Sequence, residues 1–152
     1  MTGAIGDALP ATLLLAFVAM LFAAMIGISI GLYIAINGPT KFGDFILSIC
    51  ALGMSVPSFV VAILVAWLFG YVLHSYTGLP MTGGMVVIDP FDGPKLALAH
   101  IILPALTLGI RPLAVIIQLS RNSAIDVLSQ PYIRTAKAKG LAKSRILVTH
   151  VL

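Results

Sequence analysis

The sequence contains no glutamate, a single cysteine and few charges of either sign. Five aspartates and nine Lys or Arg residues leave it 9% charged and 60% hydrophobic over 152 residues. Soluble domains run at roughly 45–50% apolar and about 25% charged, because charge keeps a surface wet. This chain cannot cover a soluble globule with what it has, and its mean hydropathy of +1.11 points to an exterior that faces lipid. One cysteine, Cys50, excludes an intrachain disulfide framework, and its place in an apolar run makes it a small buried hydrophobe. Ahead of the first apolar run there is no Lys or Arg, only Asp7, so the start is not patterned as a secretory signal peptide. The Gly-x4-Gly-Lys-Ser/Thr pattern of a phosphate-binding loop is also missing, and the chain is read as a non-enzyme without a cofactor of its own.

What is present is three apolar stretches, about Leu9 to Ile36, Phe45 to Tyr76 and Leu96 to Gln118. A bilayer core about 30 Å thick takes roughly 20 helical residues, so each is long enough to cross. The fold class predicted is an all-α polytopic membrane bundle of about three transmembrane helices. Pro10 falls near the start of the first span, where a missing N–H is cheap. Asn37-Gly38-Pro39-Thr40 reads as a compact turn, and the Gly- and Pro-rich segment from Ser75 to Lys95 as an irregular loop with a short interfacial helix. Gly27 and Gly31 form a small-xxx-small pair suited to close helix packing. Pro57 and Pro104 are expected to kink their spans, and Trp67 and Tyr71 to anchor one at the interface.

Charge sets the orientation. Six of the nine bases fall in the last 32 residues, beside the third span, and Lys41 lies in the first turn. By the positive-inside rule these segments are cytoplasmic and the N-terminus is outside. No interleaved aromatics accompany the basic tail, so no nucleic-acid partner is read there. His74, His100 and His150 lack metal-site spacing on one helix. Arg111 falls about ten residues before Arg121, hence about 15 Å along the helix and near mid-bilayer. A central Arg costs at least about 2.5–3.5 kcal/mol, so it must face protein or water. Two readings stand: a translocation path lined by Arg111, Gln118 and Pro57, or pairing of Arg111 with a carbonyl loosened by Pro112 or with a further helix.

The segment after the third span carries the functional signal. Pro131 suits the first position of a new helix and Gly140 its C-terminal stop. Between them Tyr132 and Ala136 share a face at i and i+4, with Ile133 alongside and Lys137 and Lys139 flanking. Ala136 and Ala138 permit close approach by another backbone. A second short helix is expected from about Leu141.

The string Pro131-Tyr-Ile-Arg-Thr-Ala-Lys-Ala-Lys-Gly-Leu141, with His150-Val-Leu152 after it, closely resembles the cytoplasmic EAA loop of ABC importer permeases, in its dipeptide/oligopeptide form. Leu103-Pro-Ala-Leu-Thr-Leu108, Pro112-Leu-Ala-Val-Ile116 and Arg121-Asn-Ser with Asp126-Val-Leu128 look like the same family's preceding span. Leu9-Pro-Ala-Thr-Leu13 and Ser55-Val-Pro-Ser-Phe59 look like its earlier ones. The resemblance implies a coupling helix that docks on an ATP-binding subunit through Tyr132, Arg134, Thr135, Ala136, Lys137, Ala138, Lys139, Gly140 and Leu141. It also implies a second permease subunit, ATP-binding subunits that hold the ATP, an extracytoplasmic solute-binding protein, and a bacterial or archaeal cytoplasmic membrane. Arg134-Thr135-Ala136 stands where the wider superfamily has Glu-Ala-Ala. Arg111 replaces a usual apolar residue, and Gln118 lies near a usual Arg. The family has one span before this segment and two after it, so the chain reads as a partial permease domain. Related permeases carry nickel or glutathione, which keeps the substrate open. The rival classes are a small membrane interaction protein anchored by its basic tail and an intramembrane hydrolase. The hydrolase would need Ser, His and Asp at one depth, and Asp126 is the only acid after Asp92.

Overall fold

The computed structural model describes residues 2–81, 86–89, 93–96 and 99–138, with backbone alone at 2–8, 86–89, 93–96, 134 and 136–138. In lipid a backbone without charge or water satisfies its N–H and C=O groups locally only as a helix. Helix α1 (Thr2–Asn37) accordingly takes in the whole first stretch. It begins about two turns ahead of Pro10, so that proline lies inside the helix rather than near its start. Asn37 Nδ2 donates to the Tyr33 carbonyl at 2.8 Å, and Gly38 then takes a left-handed φ of 71°. Thr40 closes the turn as N-cap, its hydroxyl accepting from the Gly43 N–H at 3.1 Å. Helix α2 (Lys41–Ser55) follows at once.

The second stretch, predicted as one kinked span, is two helices. Between α2 and α3 (Ser58–Trp67) the axis turns by 113°. Pro57 explains the break, because it has no N–H for the Gly53 carbonyl and drives the preceding residue out of the α region. Val56 is extended, at φ −78° and ψ 135°. Helix α3 runs into a π-helical turn, Leu68–Val72, and then the short α4 (His74–Thr77). The segment predicted as an irregular loop holds, besides α4, an antiparallel ribbon. Its strands are β1 (Val86–Asp89) and β2 (Gly93–Leu96), with Val86 opposite Leu96 and Asp89 opposite Gly93. Helix α5 (Ala99–Leu128) carries Pro104 and Pro112 inside it and runs ten residues past the predicted end of the third span at Gln118. Helix α6 (Pro131–Ala138) completes the described chain.

Two helices, Leu9–Asn37 and Ala99–Leu128, are long and apolar enough to cross alone, and a third crossing exists if the bent pair counts as one. Packing decides the point. Ala19, midway along α1, clusters with Ile101 and Ala105 near the start of α5. Farther along, Gly31 lies against Ile117 and Arg121. The two long helices are therefore parallel. A chain leaving α1 at Asn37 must travel back before it enters α5 at Ala99, and α2 with the segment after it makes that return. The bundle has three crossings, the middle one broken.

Glycine sets how closely α1 and α5 approach. A Cβ at Gly31 would stand 2.7 Å from the Ile117 carbonyl oxygen, and one at Gly27 would stand 2.8 Å from Ile116 Cγ2. This is the close packing read from the small-xxx-small pair. Ala19 and Ala23 are buried along the same stripe. Helix α2 joins through Cys50, which is buried with Ile34, Ala114 and Ile117.

Candidate functional site

Two places on this scaffold concentrate polar chemistry, the break in the middle crossing and the short helix α6. At the break Pro57 removes the donor for one carbonyl, and the extended Val56 turns others out of the ladder. Val56 N–H still reaches the Leu52 carbonyl at 3.1 Å, and the Ser55 hydroxyl bonds back to Ala51 at 3.0 Å. The carbonyls of Met54 and Val56 are instead met from α5. Arg111 Nη2 donates to them at 3.4 and 3.3 Å respectively. Two turns farther along α5, Gln118 Nε2 contacts Met54 Sδ at 3.5 Å.

Arg111 and Gln118, two of the three residues singled out for a translocation path, thus both reach Met54, three residues before the third, Pro57. Their register allows it, since 111 and 118 differ by seven residues, close to two full turns of α5. The partner of Arg111 corrects the sequence reading in one respect. The carbonyls it satisfies were loosened by Pro57 on a different crossing, and not by Pro112 beside it. Beside the break lies a cleft of about 320 Å³, lined by Ser58, Val61, Thr107, Ile110 and Arg111 among others. An unsatisfied carbonyl in hydrocarbon costs several kcal/mol, so irregular backbone at this depth must be covered by protein or face a wet cavity. Here Arg111 covers the two carbonyls, beside an open cleft.

Helix α6 hangs from the end of α5 by a short turn. Ser129 N–H bonds the Ile125 carbonyl at 3.0 Å and Gln130 N–H the Val127 carbonyl at 3.1 Å, closing α5. Pro131 then opens α6 in the position predicted for it. The decisive side chain is Ile133, which is fully buried and packs on Leu128. Its N–H also reaches back to the Gln130 carbonyl at 3.1 Å. Tyr132 is 50% exposed, whereas Ile133 beside it is turned wholly inward. Thr135 is exposed and its hydroxyl bonds the Pro131 carbonyl at 3.2 Å. Arg134, Ala136, Lys137 and Ala138 occupy the same helix. Lys139, Gly140 and Leu141, also assigned to docking, lie outside the described residues, as does the short helix predicted from Leu141.

One contributor was not marked by the sequence reading, and Ile133 was named only as lying alongside the Tyr132–Ala136 face. Met54 receives both Arg111 and Gln118, which lie 57 and 64 positions away. No local pattern announces a contact of that range. Ile133 left a faint signal as the one aliphatic residue larger than alanine in Pro131–Ala138.

Comparison with known proteins bears on both places. Residues 27–152 match the family described as binding-protein-dependent transport system inner membrane component. The chain belongs to this family. The match takes in the end of α1, the broken crossing, α5 and α6. The chain is 35% identical over 159 residues to the dipeptide transport system permease protein DppB of Escherichia coli K12, covering 93% of this chain and 47% of that one. It is 35% identical over 157 residues to the di/tripeptide transport system permease protein DppB of Pseudomonas aeruginosa, covering 94% and 47%. To the oligopeptide transport system permease protein OppB of Escherichia coli K12 it is 33% identical over 148 residues, covering 97% and 44%. The chain therefore spans just under half the length of these relatives. As a permease-family segment it accounts for its own composition, with apolar crossings, a broken middle one and a basic end.

Proposed function

We propose that this chain forms the core of a membrane permease subunit in an ATP-driven, binding-protein-dependent importer of dipeptides or oligopeptides. The observation that carries the reading is α6, a proline-started helix of eight residues fixed to the end of a crossing by one fully buried isoleucine. A helix this short is not stable by itself. Pinned through Ile133, with Tyr132 and Thr135 on its surface, it suits a lever on which a partner pushes. The partner in this reading is an ATP-binding subunit, and its nucleotide-driven motion passes through α6 into α5. ATP is bound and hydrolysed there, outside this chain. A second permease subunit completes the pathway, and a solute-binding protein delivers the solute from outside. The basic tail supports a cytoplasmic side for 121–152 and an outer side for the start of α1. The names of the relatives favour peptides as the cargo. In the pathway, the break at Pro57 with Arg111 and Gln118 lines the route.

The test is crosslinking in the assembled importer. A Thr135→Cys variant should crosslink to an ATP-binding subunit, with a yield that changes on adding ATP. A Phe59→Cys variant, on the broken crossing, should not. Labelling of Thr135→Cys by a membrane-impermeant thiol reagent added to intact cells would place α6 outside and end the reading.

A further inference from the structure

Arg111 brings a full charge to the middle of α5, and nothing described near it carries the opposite sign. Its two hydrogen bonds go to neutral carbonyls at 3.3 and 3.4 Å, well beyond the 2.7–2.9 Å of a charge-assisted bond to an anion. Among the described residues no carboxylate pairs with it. Asp44 sits in the first turn of α2, ten residues before Met54 and so about 15 Å along that helix. Asp126 is fifteen residues beyond Arg111, about 22 Å along α5. The carbonyls place the guanidinium without cancelling its charge, and its Nε and Nη1 groups have no partner among the described residues.

The same side chain lines the cleft of about 320 Å³ beside the break. That volume lies at the lower end of the range for small-molecule sites, roughly 300–1,000 Å³, so a carboxylate fits together with the residue that carries it. Ser58 lines the cleft too, and its hydroxyl has no partner among the described residues. Ser58 also opens α3, whose first turn has no side-chain cap, so the partial positive end of that helix has the sign an anion needs. A mid-membrane cation normally pairs with a specific partner. Among the described residues Arg111 has no such anionic partner.

We propose that Arg111 is a specificity-determining residue of the translocation route, taking a carboxylate of the passing solute in the cleft at the broken crossing. This rests on the importer reading and names the chemistry selected within it. A carboxylate arriving there gains charge-assisted hydrogen bonds at low dielectric, while the Met54 and Val56 carbonyls give up two long ones.

The experiment uses the importer assembled on this permease and reconstituted in proteoliposomes. Two probes are compared, a dipeptide with a free C-terminal carboxylate and the same dipeptide as its C-terminal amide. Each is supplied at saturation of the solute-binding protein, as found by separate titration. Arg111→Gln should slow uptake of the acid roughly ten- to a hundredfold, the worth of hydrogen bonds to a charged group, and leave the amide unchanged. Arg111→Lys should restore most of the acid uptake. Equal slowing of both probes would reduce Arg111 to a strap on the break and overturn the proposal, as would no slowing of either. If Arg111→Gln does not assemble, the acid-to-amide uptake ratio decides alone, and a ratio near one in both the unsubstituted and Arg111→Lys chains overturns it. Loss of ATP-dependent uptake in the unsubstituted chain is a different failure, and it would sink the importer reading itself.

Discussion

Truncating Ile133 is the sharpest probe of α6. The side chain has no solvent exposure and packs on Leu128, so Ile133→Ala removes a fully buried aliphatic group. Such changes cost roughly 2–5 kcal/mol in a well-packed core, and transfer alone accounts for about 1.5–3 kcal/mol. The contact here is small, so a figure near the lower end, about 2.5 kcal/mol, is appropriate. An eight-residue helix has too little intrinsic stability to make up the loss. At about 1.4 kcal/mol per tenfold, undocking of α6 should become roughly fiftyfold more frequent. Amide hydrogen exchange in lipid nanodiscs reads this directly: amides of 133–138 should exchange roughly fiftyfold faster, while those of 105–120 in α5 stay protected. Ile133→Leu keeps the volume and costs less than about 1.5 kcal/mol, so its effect should be about tenfold at most. Unchanged exchange in Ile133→Ala would refute the anchoring argument. So would loss of protection along all of α5, since α6 would then belong to the bundle rather than hang from it.

Two further outcomes are expected. Gly31→Ala places a Cβ 2.7 Å from a backbone oxygen and 3.0 Å from a backbone nitrogen, whereas the two nearest atoms met by Gly27→Ala belong to the Ile116 side chain, at 2.8 and 3.0 Å. Overpacking costs typically about 1–3 kcal/mol, so Gly31→Ala should lower resistance to denaturation in detergent clearly more than Gly27→Ala; the reverse order would contradict a backbone-limited contact. Pro57→Ala returns the donor for the Gly53 carbonyl and should straighten the bent pair. Spin labels at the exposed positions 45 and 67 should then move from about 17 Å apart, for arms turned by 113°, toward about 33 Å for a continuous helix. An unchanged distance would mean that packing, not proline, makes the bend.

Local features were legible where chemistry acts over a few residues. The turn at Asn37–Thr40 follows from Gly38 and a capping threonine, and the start of α6 from Pro131. The glycine pair on α1 announced a close neighbour without naming it. The size of the bend at Pro57 was not readable, because a proline fixes the missing bond but not how far the helix swings afterwards. The true end of α5 was also hidden. Hydropathy falls after Gln118, yet Arg121 to Leu128 continue the helix, since helical backbone does not need an apolar side chain at every turn. The partner of Arg111 is the clearest loss. Sequence required that a mid-membrane arginine meet something polar, but only the fold brings the Met54 and Val56 carbonyls to it across more than fifty residues.

The contrast between the two contacts made by α5 bears on where movement occurs in this bundle. Against α1, α5 meets backbone with backbone. At Gly31 and Gly109 a Cβ would stand 2.7 Å from Ile117 O and 3.1 Å from Ala19 O, so at these two points backbone sets the limit and little room is left to slide. Against the broken crossing it makes two long hydrogen bonds to Met54 and Val56 and a sulfur contact through Gln118, beside a cleft that leaves part of the surface unpacked. Close-packed interfaces resist continuous deformation, while a guanidinium with several donors trades one carbonyl for another at small cost. In the importer proposed above, a force entering through α6 would meet a close-packed α1–α5 pair and a looser α2–α3 joint, so the expected site of movement is the joint, where Arg111 stands.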